Sequence, residues 1–176
     1  DLGKTDDKNV YMWECPDFFP ISQENEFAIV FSPQGKRAEG YQYRNLFQSG
    51  ALIGQWSPNQ PFKPQGHFIE LDNGHDYYAP QSFTTPDGRR VSMGWMDMWN
   101  SPMPSKSEFW SGCFTLPREI TFDKSKNRLR MIPVKEVESL RQEKQTIQPL
   151  TLSNQSIELI NNTTAIELDL TLSLDS

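Results

Sequence analysis

Turn-forming residues recur so often up to about residue 133 that the segments between them have room for little more than a short strand. Runs rich in aromatic and β-branched residues occupy 27–31, 45–53, 67–71, 77–83, 91–99 and 114–122. Between them fall Ser32-Pro33-Gln34-Gly35, the polar stretch 57–64, Asp72-Asn73-Gly74, Pro86-Asp87-Gly88, 102–107 and 123–127. This spacing predicts an all-β domain, either a sandwich, a barrel or a propeller. Asn73-Gly74 and Asp87-Gly88 tolerate the positive φ angles of tight hairpins, so each predicts that the strands flanking it are antiparallel neighbours. Parallel α/β architecture is disfavoured.

The pattern changes after residue 133. Over 134–144, Val134, Val137 and Leu140 recur at about one-turn intervals among Glu and Lys, and Pro149 closes the segment. That predicts a helical linker over 134–146. Over 164–176, Ile166, Leu168, Leu170, Leu172 and Leu174 alternate with Glu167, Asp169, Thr171, Ser173 and Asp175. A period of two predicts a half-buried strand. Only 147–152 and 157–160 offer it partners, so 147–176 reads as the truncated start of a second β domain after the first over 1–133. An unpaired apolar edge of this kind is expected to self-associate.

Charge and composition exclude several classes of partner. The 176 residues carry a net charge of −6, with Lys and Arg scattered rather than striped, so nucleic acid is not an expected partner. No run of about 18 apolar residues would span a membrane. Two cysteines about a hundred residues apart, Cys15 and Cys113, fit reduced, buried thiols in a cytoplasmic protein better than a disulfide framework, with a single bridge as the alternative. His67 and His75 lack metal-ligand spacing, and no phosphate loop, nucleophile elbow or dinucleotide fingerprint occurs, so no metal and no cofactor is expected.

Three places could carry chemistry. Glu14 lies in Tyr11-Met12-Trp13-Glu14-Cys15-Pro16-Asp17-Phe18-Phe19, and a carboxyl pressed against aromatic surface loses hydration in its charged form, which suits a proton donor. Pro16 should keep Cys15 extended and give the Glu14 side chain a defined exit from a strand end. A solvated glutamate beside a core tryptophan is an equal alternative. In Met93-Gly94-Trp95-Met96-Asp97-Met98-Trp99, a strand would place Trp95, Asp97 and Trp99 on one face. Rings beside an acid suit a sugar, with its C–H face and hydroxyl edges, but equally describe core tryptophans whose N–H groups bond to Asp97. Asp76 follows the Asn73-Gly74 turn; it either binds a sugar hydroxyl and influences Glu14, or caps its own turn.

These residues also carry a resemblance. Trp13-Glu14-Cys15-Pro16-Asp17 is similar to the Glu-Cys-Pro acid/base motif of glycoside hydrolase family 32, the invertases, sucrose-6-phosphate hydrolases and fructan hydrolases. Asp76-Tyr77-Tyr78-Ala79-Pro80-Gln81, Gly94-Trp95-Met96 and the run from Trp110 to Glu119 resemble three further motifs of that family, in the same order. Asn73-Gly74-His75-Asp76 and the stretch from Trp95 to Lys106 look most like the bacterial intracellular sucrose hydrolases. The resemblance covers most of residues 10–145. It implies the later blades of a five-bladed β-propeller, then a linker and the first strands of a β-sandwich. It further implies retaining hydrolysis of a terminal β-D-fructofuranoside, sucrose first, with Glu14 as acid/base and Asp76, Trp95, Trp99 and Trp110 shaping the sugar pocket. The family's other two acids sit in Asp-Pro motifs, and this chain has no Asp-Pro dipeptide. The expectation is therefore a fragment, inactive alone, of a sucrose hydrolase. The alternatives are a sucrose-6-phosphate hydrolase and a carbohydrate-binding or assembly module without turnover.

Overall fold

The computed structural model describes residues 3, 7–161, 163 and 165–174. The chain divides into two compact units, Asp1–Val134 and Lys135–Ser176.

The first unit is built from two antiparallel sheets. In the first, β1 (Met12–Pro20), β2 (Glu26–Gln34) and β3 (Gly50–Gln55) run as a meander, and β4 (Lys63–Pro64) and β5 (Ile69–Glu70) both pair with β3. Gly54 faces Pro64 and Gly50 faces Glu70, so β4 and β5 are two pieces of one interrupted fourth strand. The second sheet repeats the plan with β6 (Tyr78–Thr84), β7 (Arg90–Met96), the short β8 (Cys113–Phe114) and β9 (Arg118–Asp123) both on β7, and β10 (Arg128–Pro133) on β9. Two consecutive antiparallel meanders, whose first strands β1 and β6 lie in contact without pairing, form adjacent propeller blades.

Residue type explains why β2 lies at the centre. Its run Phe27-Ala28-Ile29-Val30-Phe31 is apolar on both faces, as a strand covered on both sides requires. Ala28 and Val30 pack with Phe19, Ala51, Ile53 and Ile120, the last contributed by the second sheet. Ile29 and Phe31 face the other way, with Phe62, Trp13, Phe18, Trp56 and Phe68. The Trp13 and Phe31 rings stack there at 3.9 Å.

Asp87-Gly88 closes the expected β6–β7 hairpin, with Gly88 at φ +88 and Thr85 N–H donating to the Arg89 carbonyl. Asn73-Gly74 does not form a hairpin. It connects β5 of the first sheet to β6 of the second, and Asp72 Oδ1 accepts from Gly74 N–H at 2.8 Å. A side chain that satisfies the turn locally lets the chain leave its sheet. Three strands were not expected as such: β1, which runs through prolines, the two-residue β4, which falls in the polar stretch 57–64, and β10, where Arg128 and Arg130 alternate with Leu129 and Met131.

In the second unit the helical stretch is a 3-10 helix over Lys135–Leu140, and Arg141 forms a bidentate pair with Glu167 at 2.6 and 2.7 Å. The strand expected at 164–176 is not formed over 165–174; residues 164, 175 and 176 lie outside the described residues. Leu168, Leu170, Leu172 and Leu174 are exposed. Alternation supplies a strand's apolar face but not the paired backbone and facing sheet that stabilise it. Among the described residues no helix is long and apolar enough to cross a membrane.

Gly94 shows how closely the second blade is packed. A Cβ there would lie 2.3 Å from Cε2 and 2.7 Å from Cδ2 of Tyr77, a ring that is buried and stacked beneath Arg118. Gly94→Ala is expected to destabilise the unit by about 1–3 kcal/mol, read from urea unfolding. An unchanged midpoint would show that the Tyr77 ring moves aside at no cost.

Candidate active site

Two β-bulges of the same construction meet where the blades join. In β1, Glu14 pairs with Ser32 but Asp17 pairs with Val30, so one extra residue is accommodated at Cys15-Pro16. In β6, Tyr78 pairs with Trp95 and Gln81 with Met93, with the extra residue at Ala79-Pro80. Each bulge holds a left-handed residue directly before a proline, Cys15 at φ 50 and Ala79 at φ 48. The extended Cys15 expected from Pro16 is thus overturned, because accommodating the extra residue of the bulge takes one residue out of the extended region. Proline lacks the N–H that a regular ladder would need and fits at a bulge.

Side chains and loose backbone groups stitch the bulges together. Gln81 Nε2 donates to the Cys15 carbonyl at 3.1 Å, and Ala79 N–H donates to Ser32 Oγ at 3.2 Å, which in turn lies 2.8 Å from Ser49 Oγ. Asp17 forms an ion pair with Arg90 Nη2 at 2.9 Å and accepts from Ser82 N–H at 3.0 Å.

Glu14 is half-buried at this seam. Its Oε2 accepts from Tyr78 Oη at 2.5 Å and from Gln34 Nε2 at 2.9 Å. Among the described residues no donor meets its other oxygen, Oε1. Tyr78 is 2% exposed. Burial first, and then the hydrogen bond to the Glu14 carboxylate, push its phenol well above the usual tyrosine range, so it remains a neutral donor. Burial, followed by the negative charge of Glu14, also raises the Cys15 thiol, which makes position 15 a poor nucleophile. The site therefore presents one carboxyl held on one side and open on the other, beside a phenol that keeps its proton.

An aromatic wall adjoins it. Trp99 packs edge-on against Tyr78 at 5.0 Å, Phe47 at 5.4 Å and Trp95 at 5.5 Å, while remaining 54% exposed. Trp95 and Trp99 thus come together as expected, but not on one strand: β7 ends at Met96. Asp97 is buried and bonds to Met98 N–H at 2.7 Å and Ser111 Oγ at 2.9 Å, a local bond that turns the chain out of the sheet. Asp76 does not reach Glu14; its Oδ2 accepts from Ser101 Oγ at 3.0 Å, tying the loop after Trp99 to the start of β6. Trp110 is 53% exposed with its N–H 3.4 Å from Glu108 Oε2, and among the described residues it joins none of the ring contacts around Tyr78. Cys113, expected to be buried, is exposed on the short β8.

Sequence reasoning singled out Glu14 but missed Tyr78, Gln34, Phe47 and Arg90 as neighbours. The one available signal was the repeated pattern of a small residue before proline after Glu14 and after Tyr78. Among the described residues no group of three or more His, Cys, Asp or Glu could hold a metal ion.

Comparison with known proteins places this geometry. Residues 1–133 match the model of the glycosyl hydrolases family 32 N-terminal domain. The chain is 55% identical over 169 residues to a sucrose-6-phosphate hydrolase of Escherichia coli, covering 96% of this chain and 34% of that protein. It is 52% identical over 158 residues to a raffinose invertase of Escherichia coli, covering 90% of this chain and 32% of that protein. Among solved structures, a variant of the Bombyx mori beta-fructofuranosidase in complex with sucrose superposes with a TM-score of 0.74 at 36% identity, over 81% of this chain and 30% of that one. The chain spans about a third of the length of the curated relatives it matches.

The Tyr78 phenol gives a pH signature. The folded state holds this proton more tightly than the unfolded chain, so its contribution is complete below the ordinary tyrosine value, about 10, and declines as pH rises beyond it. Tyr78→Phe is expected to cost about 1.5–3 kcal/mol near neutrality, with the gap to wild type narrowing above about pH 10. A gap that stays constant in urea unfolding up to pH 11 would contradict the assignment.

Proposed function

Because the chain belongs to glycosyl hydrolase family 32, we propose that Glu14 is the acid/base residue of a retaining hydrolysis of terminal β-D-fructofuranosides, with sucrose as substrate. One observation carries this reading: Glu14 is held through Oε2 by the neutral Tyr78 phenol, with Oε1 left open, beside the exposed ring of Trp99.

The chemistry follows from that asymmetry. In the first step Glu14 donates its proton to the departing glycosidic oxygen. In the second it accepts a proton from the water that releases the fructosyl group. Tyr78 and Gln34 fix the carboxyl's rotation through Oε2, so that Oε1 is the oxygen left to meet the glycosidic bond. A double displacement also needs a carboxylate nucleophile about 5–5.5 Å from the acid. Asp17, the nearest acid in sequence, is committed to Arg90 and Ser82. We assign the nucleophile to the part of the relatives' length that this chain does not span.

In this reading Trp99 offers its face to the C–H surface of the sugar and Trp95 supports it from behind. Asp76 holds the loop through Ser101, and Trp110 forms the outer wall. Residues 147–176 begin the second β domain, and two free thiols, Cys15 and Cys113, support a cytoplasmic setting. Sucrose 6-phosphate is the second reading, favoured by the 55% identical relative. It would require cations placed to meet a phosphate.

Glu14→Gln, made in the protein as its gene encodes it, is expected to lower kcat on sucrose by about 10²- to 10⁴-fold. Near-normal turnover by that variant would remove Glu14 from its role. Comparing kcat/KM for sucrose and sucrose 6-phosphate decides between the substrates, and no turnover of either with retained sugar binding would favour a binding module.

A further inference from the structure

No backbone ladder joins β1 to β6, so the spacing between the two bulges is set by side chains. The strongest of these contacts is a closed ring of three residues on the far side of the bulges from Glu14 and Tyr78. Asp17 Oδ1 accepts from Arg90 Nη2 at 2.9 Å, and Asp17 Oδ2 accepts from both the N–H and the Oγ of Ser82. Arg90 Nε closes the ring by donating to Ser82 Oγ at 2.7 Å, and its Nη1 reaches Thr84 Oγ1 at 3.4 Å. The guanidinium lies 4.0 Å above the Phe19 ring, in the first core cluster, and the Asp17 side chain is 12% exposed. A largely desolvated charge pair, bonded through both carboxylate oxygens and through Nε and Nη2 of the guanidinium, strongly favours one geometry.

That geometry bears on the bulges. Cys15 and Ala79 each occupy a left-handed conformation that costs about 1–3 kcal/mol and persists only when the surroundings over-determine it. Asp17 begins the regular ladder immediately after the first bulge, and Ser82 lies one residue beyond the point where the second regains register. The ring thus clamps both strands where relaxation of either bulge would have to begin. Relaxation would carry Glu14 and Tyr78, on the other side of the same bulges, out of their 2.5 Å contact.

We propose that Asp17, acting with Ser82 and Arg90, is a positioning residue that holds the two bulges in register and thereby fixes the Glu14 carboxyl against Tyr78. This rests on Glu14 being the acid/base residue. Asp17 does not touch Glu14; it works through the backbone between them. The fork of Arg90 spans Asp17 and Ser82 together, so a lysine, with the same charge at a single point, would not replace it.

The test uses the protein as its gene encodes it, in a Cys113→Ser background so that Cys15 alone of these two thiols reports on the first bulge. Asp17→Asn, Ser82→Ala and Arg90→Lys are compared with wild type for kcat and KM on sucrose, for melting temperature, and for the rate of Cys15 labelling by a disulfide reagent. Asp17→Asn is expected to lower kcat about 10- to 100-fold with KM within about threefold, and to speed Cys15 labelling about tenfold at a temperature where the protein remains folded. Ser82→Ala should shift both in the same direction by less, and it serves alone if Asp17→Asn does not fold. A lowered melting temperature with unchanged kcat overturns the proposal, as does unchanged labelling. If Glu14→Gln remains active, the acid/base assignment fails by itself; if wild type hydrolyses neither sucrose nor sucrose 6-phosphate, the fructoside reading fails. Labelling then decides the clamp: faster labelling upholds it and unchanged labelling removes it.

Discussion

A strand turns successive side chains to opposite faces, so residues three apart ordinarily point away from each other. Glu14 and Asp17 escape this rule because one extra residue is inserted between them. Their partners, Ser32 and Val30, are two apart and share a face, and so therefore do Glu14 and Asp17. Tyr78 and Gln81 are brought to one face by the same device opposite Trp95 and Met93. Without the insertions, Glu14 and Asp17 would lie on opposite faces of β1, and Tyr78 and Gln81 on opposite faces of β6. The site depends on this correction of parity, and the left-handed angles of Cys15 and Ala79 are its cost.

The electrostatics of the seam follow from the same arrangement. Burial keeps both the Tyr78 phenol and the Cys15 thiol neutral, so Glu14 is surrounded by groups that do not share its charge. Asp17 is neutralised in place by Arg90. The carboxyl that changes protonation during the proposed reaction therefore does so against a fixed background, the condition in which a donor can be oriented without competing for its proton.

Much of the blade architecture was legible because it depends on local chemistry. Turn residues and apolar runs placed most strands, and Asp87-Gly88 formed its hairpin because nothing distant competed with it. Asn73-Gly74 misled because a two-residue turn specifies a reversal but not which sheet receives the chain. Cys15 misled because a tertiary bulge overrode the local bias imposed by Pro16. The alternation of Ile166 to Leu174 named a face without the sheet needed to cover it. Around the site, Glu14 stood out by its surroundings in the sequence. Tyr78, 64 residues away, could be joined to it only by knowing how the two blades abut.

The absence of a ladder between β1 and β6 has a broader consequence for how such a site can vary. Each sheet keeps its own backbone bonds intact whatever side chains meet at the joint. Exchanges there can alter which groups confront a sugar while leaving both frameworks standing. Evolutionary change in chemistry is thereby separated from the risk of losing the architecture.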